Sequence, residues 1–154
     1  YEVPLVSGWV TTSQSTSSLL RRAPRSTPRS QTPPQPVDQG LVAEADGTVV
    51  GMARSSDLGN GVLALDQVSV HPDHAGSGVG RRLLEATAAH ARSLGYNSIT
   101  GTTFKDVPFN APFYTRLNAC EDPTPHPAMV RRRFVEHELG LDDFGPRIVM
   151  RLSL

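Results

Sequence analysis

The residues best suited to chemistry lie in VSVHPDHAGSGVGRRLL, Val68 to Leu84. This stretch passes from an apolar run, through Pro72, into Gly76, Gly78 and Gly80, and then into an amphipathic pattern. Alternating glycines let a backbone approach a ligand and turn successive amide hydrogens inward, and a following helix N-terminus adds the positive end of its dipole. The natural guest of such a cradle is a phosphate or pyrophosphate. Two nucleotide-binding patterns fail here. A P-loop needs Lys and then Ser or Thr after its last glycine, whereas Gly80 is followed by Arg81 and Arg82. A dinucleotide fingerprint needs Gly-x-Gly-x-x-Gly and a later acid; the spacing here is Gly-x-Gly-x-Gly, and Tyr96 to Phe104 contains no acid.

Other reactive side chains carry weaker signals. His71, Asp73 and His74 offer two loop histidines without a third spaced ligand, so no metal is expected. Cys120 has no evident base beside it and reads as a small apolar residue rather than a nucleophile. Arg131, Arg132 and Arg133, followed by Glu136 and Glu138, read as a solvated helix face.

The elements that must position the glycine loop are legible on either side of it. Leu41 to Ala45 and Thr48 to Ser56 flank Asp46-Gly47, a strong hairpin signal. Gly61 to His71 reads as a strand with Leu63, Leu65, Gln67 and Ser69 on one side and Ala64, Asp66, Val68 and Val70 on the other. A helix is expected from Gly78 to Leu94, with Val79, Leu83, Leu84, Thr87, Ala88, Ala91 and Leu94 on one stripe and Gly95 as its stop. Asn97 to Phe104 reads as a strand weakened by Gly101, and Asn110 to Leu117 as a short helix capped by Asn110. Ala128 to Leu139 is expected to be helical and Arg147 to Leu154 a final strand. The order strand, strand, strand, helix, strand, helix, helix, strand describes a mixed α/β sheet with a βαβ crossover at its centre.

Composition narrows the function classes. The 154 residues fit one domain, with 38% apolar residues for a modest core. Fifteen basic and fifteen acidic residues cancel, which argues against a nucleic-acid partner. A single cysteine excludes an internal disulfide. With no apolar run of membrane length and no leader pattern, a cytoplasmic protein without a membrane partner is expected. Residues 5–36 differ from the rest: 12 are Ser or Thr, five are Pro, four are Arg, and none is acidic. Residues 1–39 are therefore expected to be a flexible or atypical segment, with a short element near Leu5 to Val10, preceding a domain at 40–154.

Pro72, the loop Gly76-Ser77-Gly78-Val79-Gly80 and Leu83-Leu84 together resemble the acetyl-coenzyme A motif of GCN5-related N-acetyltransferases. NAPFYTRLNACE, Asn110 to Glu121, is similar to the same family's helix bearing an asparagine and, four residues later, a tyrosine. The resemblance covers about residues 40–154 and implies a mostly antiparallel central sheet around a βαβ acetyl-coenzyme A core. It departs at Ala75, where the family usually has Arg or Gln, and at the N-terminus, where the family places a strand and two helices.

The roles it implies are specific. The backbone of Val68, Ser69 and Val70 would pair with the pantetheine arm, Gly76, Ser77, Gly78, Val79, Gly80 and Arg81 would hold the pyrophosphate, and Asn110 would contact the arm. Tyr114 would protonate the leaving thiolate. Asp66 is the first candidate to accept the amine's proton, with His71 and His74 behind it. The implied reaction is acetyl transfer from acetyl-coenzyme A to a small-molecule or peptide amine by direct attack, without a metal. A non-catalytic acyl-coenzyme A sensor, or an incomplete acetyltransferase, is the rival expectation, and a homodimer stays open.

Overall fold

The computed structural model describes residues 20–22 and 39–154. Its strands are β1 (Leu20–Arg22), β2 (Gln39–Ala45), β3 (Thr48–Gly59), β4 (Val62–Val70), β5 (Ser98–Phe104), β6 (Cys120–Glu121) and β7 (Arg147–Ser153). Its helices are α1 (Val79–Ser93), α2 (Ala111–Thr115) and α3 (Pro127–Glu138). The seven strands form one sheet in the order β1-β2-β3-β4-β5-β7-β6, antiparallel throughout except for the β4–β5 pair. This is the expected mixed α/β architecture, with α1 as the crossover between the two parallel strands.

The hairpins follow from residues that tolerate a left-handed backbone. Asp46 and Gly47 both have positive φ (49° and 77°), as do Asn60 and Gly61 (53° and 74°), which is what a two-residue hairpin turn demands. The second turn lets β3 run on to Gly59, three residues past the expected Ser56.

The expected face assignment of β4 holds up to Asp66 and is inverted beyond it. The β3–β4 register slips opposite Asp66, since Arg54 pairs with Gln67 and Ser55 with Leu65. Asp66 is the extra residue of a β-bulge, and a bulge moves every later side chain to the other face. Leu63 and Val68 consequently both pack towards α1, in phase on one side despite their odd separation.

α1 lies on that face. Val79, Leu83, Leu84, Thr87, Ala88 and Ala91 are buried as the stripe predicts, while Leu94 falls at the helix end and stays 52% exposed. Each fully buried leucine contributes roughly 1.5–3 kcal/mol to this packing. Close approach is possible because β3 carries Gly51 beneath the helix; a Cβ there would lie 3.0 Å from a Val79 methyl. On the opposite face Met129 of α3 is buried against Ala64 and Val149.

Two strands were not expected. β6 is a two-residue strand beside β7. β1 pairs with β2 from within the Ser/Thr/Pro-rich segment, Leu20 opposite Ala43, so part of the segment expected to be flexible adds an edge strand. Leu5 to Val10 lies outside the described residues. Among those residues no helix is long and apolar enough to cross a membrane.

Candidate active site

The site begins where two strands stop pairing. β4 and β5 are in register only over Val62–Ala64 and Ser98–Thr100. A Cβ on Gly101 would sit 3.0 Å from the Leu65 carbonyl oxygen, so the strands still touch there, and glycine is what permits it. Beyond that point a cavity of about 320 Å³ opens between Asp66, Gln67 and Val68 on β4 and Thr102 and Thr103 on β5. The bulge at Asp66 supplies the bend that parts the strands.

The exposed edge of β4 has a definite polarity. His71 N–H donates to the Val50 carbonyl at 2.8 Å, which fixes the ladder phase. Alternation turns the Ser69 backbone to β3 and presents the N–H and C=O of Val68 and Val70 to the gap. Of the three residues expected to pair with an extended amide chain, two have their backbone groups available. The Ser69 hydroxyl accepts from Gln67 Nε2 at 3.0 Å instead.

The glycine loop forms the second part of the site. Gly76 and Gly78 have φ of 73° and 77°, a conformation L side chains rarely adopt. The first helical bond of α1 runs from Arg82 N–H to the Gly78 carbonyl at 2.9 Å. The amides of Val79, Gly80 and Arg81 therefore have no acceptor within the helix. A hollow of about 360 Å³ lies against Gly76, Gly78 and Gly80, and Arg81 and Arg116 border both it and the gap. Backbone amides, a helix N-terminus and two guanidinium groups make these adjoining hollows complementary to a phosphate-bearing chain. Arg81 Nε also donates to Glu85 Oε1 at 2.7 Å. The Val79 side chain serves the core, and the Ser77 hydroxyl donates to the His74 carbonyl at 2.7 Å.

Tyr114 of α2 lines the gap. Its ring stands edge-on to Phe113, with centroids 5.3 Å apart, and packs against both the α1-side core and the cluster around Met150. Burial pushes its phenol up to about 12, so it is fully protonated near neutral pH. A protonated phenol in a cleft is suited to donate a proton.

Asn110 behaves differently from the expected cap. It occupies the N-cap position of α2 but makes no side-chain capping bond. Buried, it accepts from Thr103 Oγ1 at 3.1 Å, and it borders neither hollow. It ties the start of α2 to the β5 side of the gap.

Asp66 does border the gap, and Arg132 Nη2 donates to its Oδ1 at 2.6 Å. His71 and His74 border neither hollow; exposed His71 accepts the Asp73 N–H through Nδ1 at 3.3 Å. Among the candidate bases only Asp66 lines the cavity with Tyr114, with its carboxylate bonded to Arg132 of α3. Sequence reasoning missed Arg116 and Arg132. Arg116 lies within Asn110 to Glu121 but carries no periodic signal. The Arg131–Arg133 run reads as a solvated face, whereas Arg132 reaches Asp66 on β4, Arg133 reaches Glu136 and Asp142, and both are half-buried.

Solved structures share this architecture. A Klebsiella pneumoniae protein described as an acyl-CoA N-acyltransferase aligns with a TM-score of 0.61 at 22% identity, over 80% of this chain and 77% of its own. A Mycobacterium tuberculosis protein in complex with CoA aligns with a TM-score of 0.56 at 24% identity, over 75% of each chain. A tandem GNAT protein from the clavulanic acid biosynthesis pathway is 26% identical with a TM-score of 0.55; the match spans 61% of this chain but only 31% of that one. The model of the acetyltransferase (GNAT) family matches residues 13–119, starting before the boundary expected at residue 40. Given the splayed strands, the glycine loop and that match over more than half its length, the chain belongs to the acetyltransferase (GNAT) family.

Proposed function

We propose that this chain transfers an acetyl group from acetyl-coenzyme A to the primary amine of a small molecule or peptide, by direct attack in a ternary complex in the cytoplasm. The observation that carries the reading is a pair of adjoining hollows that share Arg81 and Arg116, one along the open edge of β4 with Tyr114 and Asp66 on its walls and one at the glycine cradle. The residues fit the arm and the pyrophosphate of the cosubstrate. Val68 and Val70 offer the ladder groups an amide-bearing arm would use, and the loop amides with Arg81 and Arg116 offer a pyrophosphate seat.

When bound, acetyl-coenzyme A supplies an acetyl thioester whose carbonyl carbon takes the amine and whose sulfur leaves. Asp66 takes one proton from the incoming ammonium, freeing the nitrogen lone pair for the new N–C bond. Tyr114 gives its proton to the departing sulfur as the C–S bond breaks, and regains one from the nitrogen through water. Holding amine and thioester together supplies most of the acceleration, and each proton transfer adds roughly 10²–10⁴-fold.

The test is calorimetric titration of the folded chain with acetyl-coenzyme A and with coenzyme A. Micromolar binding is expected. Gly78→Glu places a carboxylate in the anion seat and strains the left-handed backbone, and it should weaken binding roughly a hundredfold. Arg116→Met, at an exposed position that should not disturb folding, should weaken it several-fold. A folded parent chain that binds neither ligand overturns the proposal. Binding with no turnover of any primary amine would instead favour a sensor.

A further inference from the structure

The helix α3 sits on the sheet face opposite α1, in the connection between β6 and β7. One face of it, spaced three and then four residues, does three things. Met129 is buried against Ala64 and Val149, Arg132 reaches Asp66 on β4, and Glu136 accepts from Thr102 on β5 and Arg147 on β7. Asp66 and Thr102 stand on opposite sides of the gap. The helix therefore ties both lips of the cleft from behind.

Asp66 needs such a tie more than its neighbours do. As the extra residue of a bulge it has no ladder partner on β3 to fix its backbone. Its side chain is 9% exposed, and the partner that orients it is Arg132, itself 32% exposed. The bond occupies Oδ1 and leaves Oδ2 without a hydrogen-bond partner among the described residues. A guanidinium is planar and directional, so it sets the orientation of a carboxylate as well as its place.

We propose that Arg132 is a positioning residue for the transfer, holding the Asp66 carboxylate at the bulge so that its second oxygen takes the proton from the incoming ammonium. The inference rests on the role given to Asp66 above. The proton moves from nitrogen to Oδ2, and the nitrogen lone pair becomes available for attack. Arg132 itself touches neither reactant.

Two nucleophiles separate positioning from general support of the fold. n-Propylamine is an ammonium ion near neutral pH and must lose a proton before it attacks. Hydroxylamine is already uncharged there. The ratio of acetylation rates, propylamine over hydroxylamine, should fall roughly a hundredfold in Asp66→Asn and roughly tenfold in Arg132→Met. Arg132→Lys should recover part of the loss, and the double variant should be no worse than Asp66→Asn. Coenzyme A titration of Arg132→Met reports that the cosubstrate end is formed. Its crystal structure should show the Asp66 carboxylate displaced from its place beside β4.

The outcomes are distinguishable. An unchanged ratio in Asp66→Asn overturns the role of Asp66, and this inference with it. A ratio that falls in Asp66→Asn but not in Arg132→Met overturns the role of Arg132 alone. Equal losses with both nucleophiles in Arg132→Met, or an undisplaced Asp66 in its crystal structure, do the same.

Discussion

The two faces of the sheet are built from different materials. On the α1 face, Val68, Val70, Val79, Leu83 and Leu84 form an apolar layer, and the polar groups offered beside it are backbone groups of β4 and the glycine loop. On the α3 face the apolar cluster among the described residues is small, Ala64, Met129 and Val149 with half-buried Leu58, and the helix is fastened by charges. Arg147 donates to both oxygens of Glu136, at 3.0 and 3.1 Å, and lies over the Phe104 ring at 4.4 Å. Arg133 joins Glu136 to Asp142, which His137 also meets at 2.9 Å. An apolar face tolerates substitutions that conserve volume, whereas a charged one depends on every partner being present. The first face suits a rigid seat for a common cosubstrate. The second is the one on which a single residue decides the geometry.

The largest expected effect follows from that asymmetry. Arg147 has a fully buried side chain, and its Nη1 has no partner among the described residues. Burial alone pushes the Glu136 carboxyl up, but hydrogen bonds from Arg147, Thr102 and Arg133 hold it below its ordinary value. Arg147→Met would leave Glu136 buried without its main counter-charge and should cost about 3–5 kcal/mol in denaturant unfolding. A volume-conserving Leu83→Met on the other face should cost under about 1.5 kcal/mol. Similar losses from both would dissolve the contrast. The sign of the pH dependence is also set: a depressed carboxyl stabilises above its unfolded value, and that share is lost as pH falls through the depressed one.

Tyr114 stands on the α1 side of the cleft and acts at the other end of the pH scale. With its phenol raised from 10.0 to about 12 in the fold, native and unfolded chains bind equal protons at neutral pH. Between those values only the unfolded chain ionises, so stability should fall by roughly 2–3 kcal/mol as pH rises through that window. Tyr114→Phe should remove this alkaline loss. It should also lower turnover roughly a hundredfold while coenzyme A still binds. Ultraviolet titration of phenolate absorbance checks the first expectation, and steady-state kinetics the second. A phenol that ionises at its ordinary value would remove the basis for Tyr114 as a proton donor.

What the sequence reveals follows the same division. The α1 stripe, the turn at Asp46-Gly47 and the glycine loop are local patterns, in which spacing along the chain is spacing in space. Asp66 could be placed on β4, but its direction could not, because the bulge that reorients it exists only once β3 is paired. Alternation alone put Asp66 and Val68 together, and the structure separates them. Arg132 and Asp66 are 66 residues apart, and Arg147 and Thr102 are 45 apart. No helical or strand period reports such pairs. The Arg131–Arg133 triplet looked solvated because a run of like charge usually is, and tertiary pairing overrode that for two of its members. Arg116 escaped notice for the opposite reason. It makes no pattern at all, and only the convergence of α2 and the glycine loop gives it a place.

The smallest effect sharpens the contrast on the cosubstrate side. Arg81 and Glu85 form an exposed i,i+4 pair on α1, and both border the gap. Arg lies N-terminal to Glu, the less favourable order against the helix dipole, so the pair contributes little stability. Glu85→Gln should change unfolding free energy by no more than about 0.5 kcal/mol. It also removes a negative charge from the wall that receives a polyanion and releases Arg81 Nε. Coenzyme A should therefore bind about twofold more tightly, and the gain should shrink at high salt as screening takes over. Weaker binding in Glu85→Gln would mean that the ion pair orients Arg81 for the anion. The cosubstrate face would then depend on a charged partner just as the α3 face does.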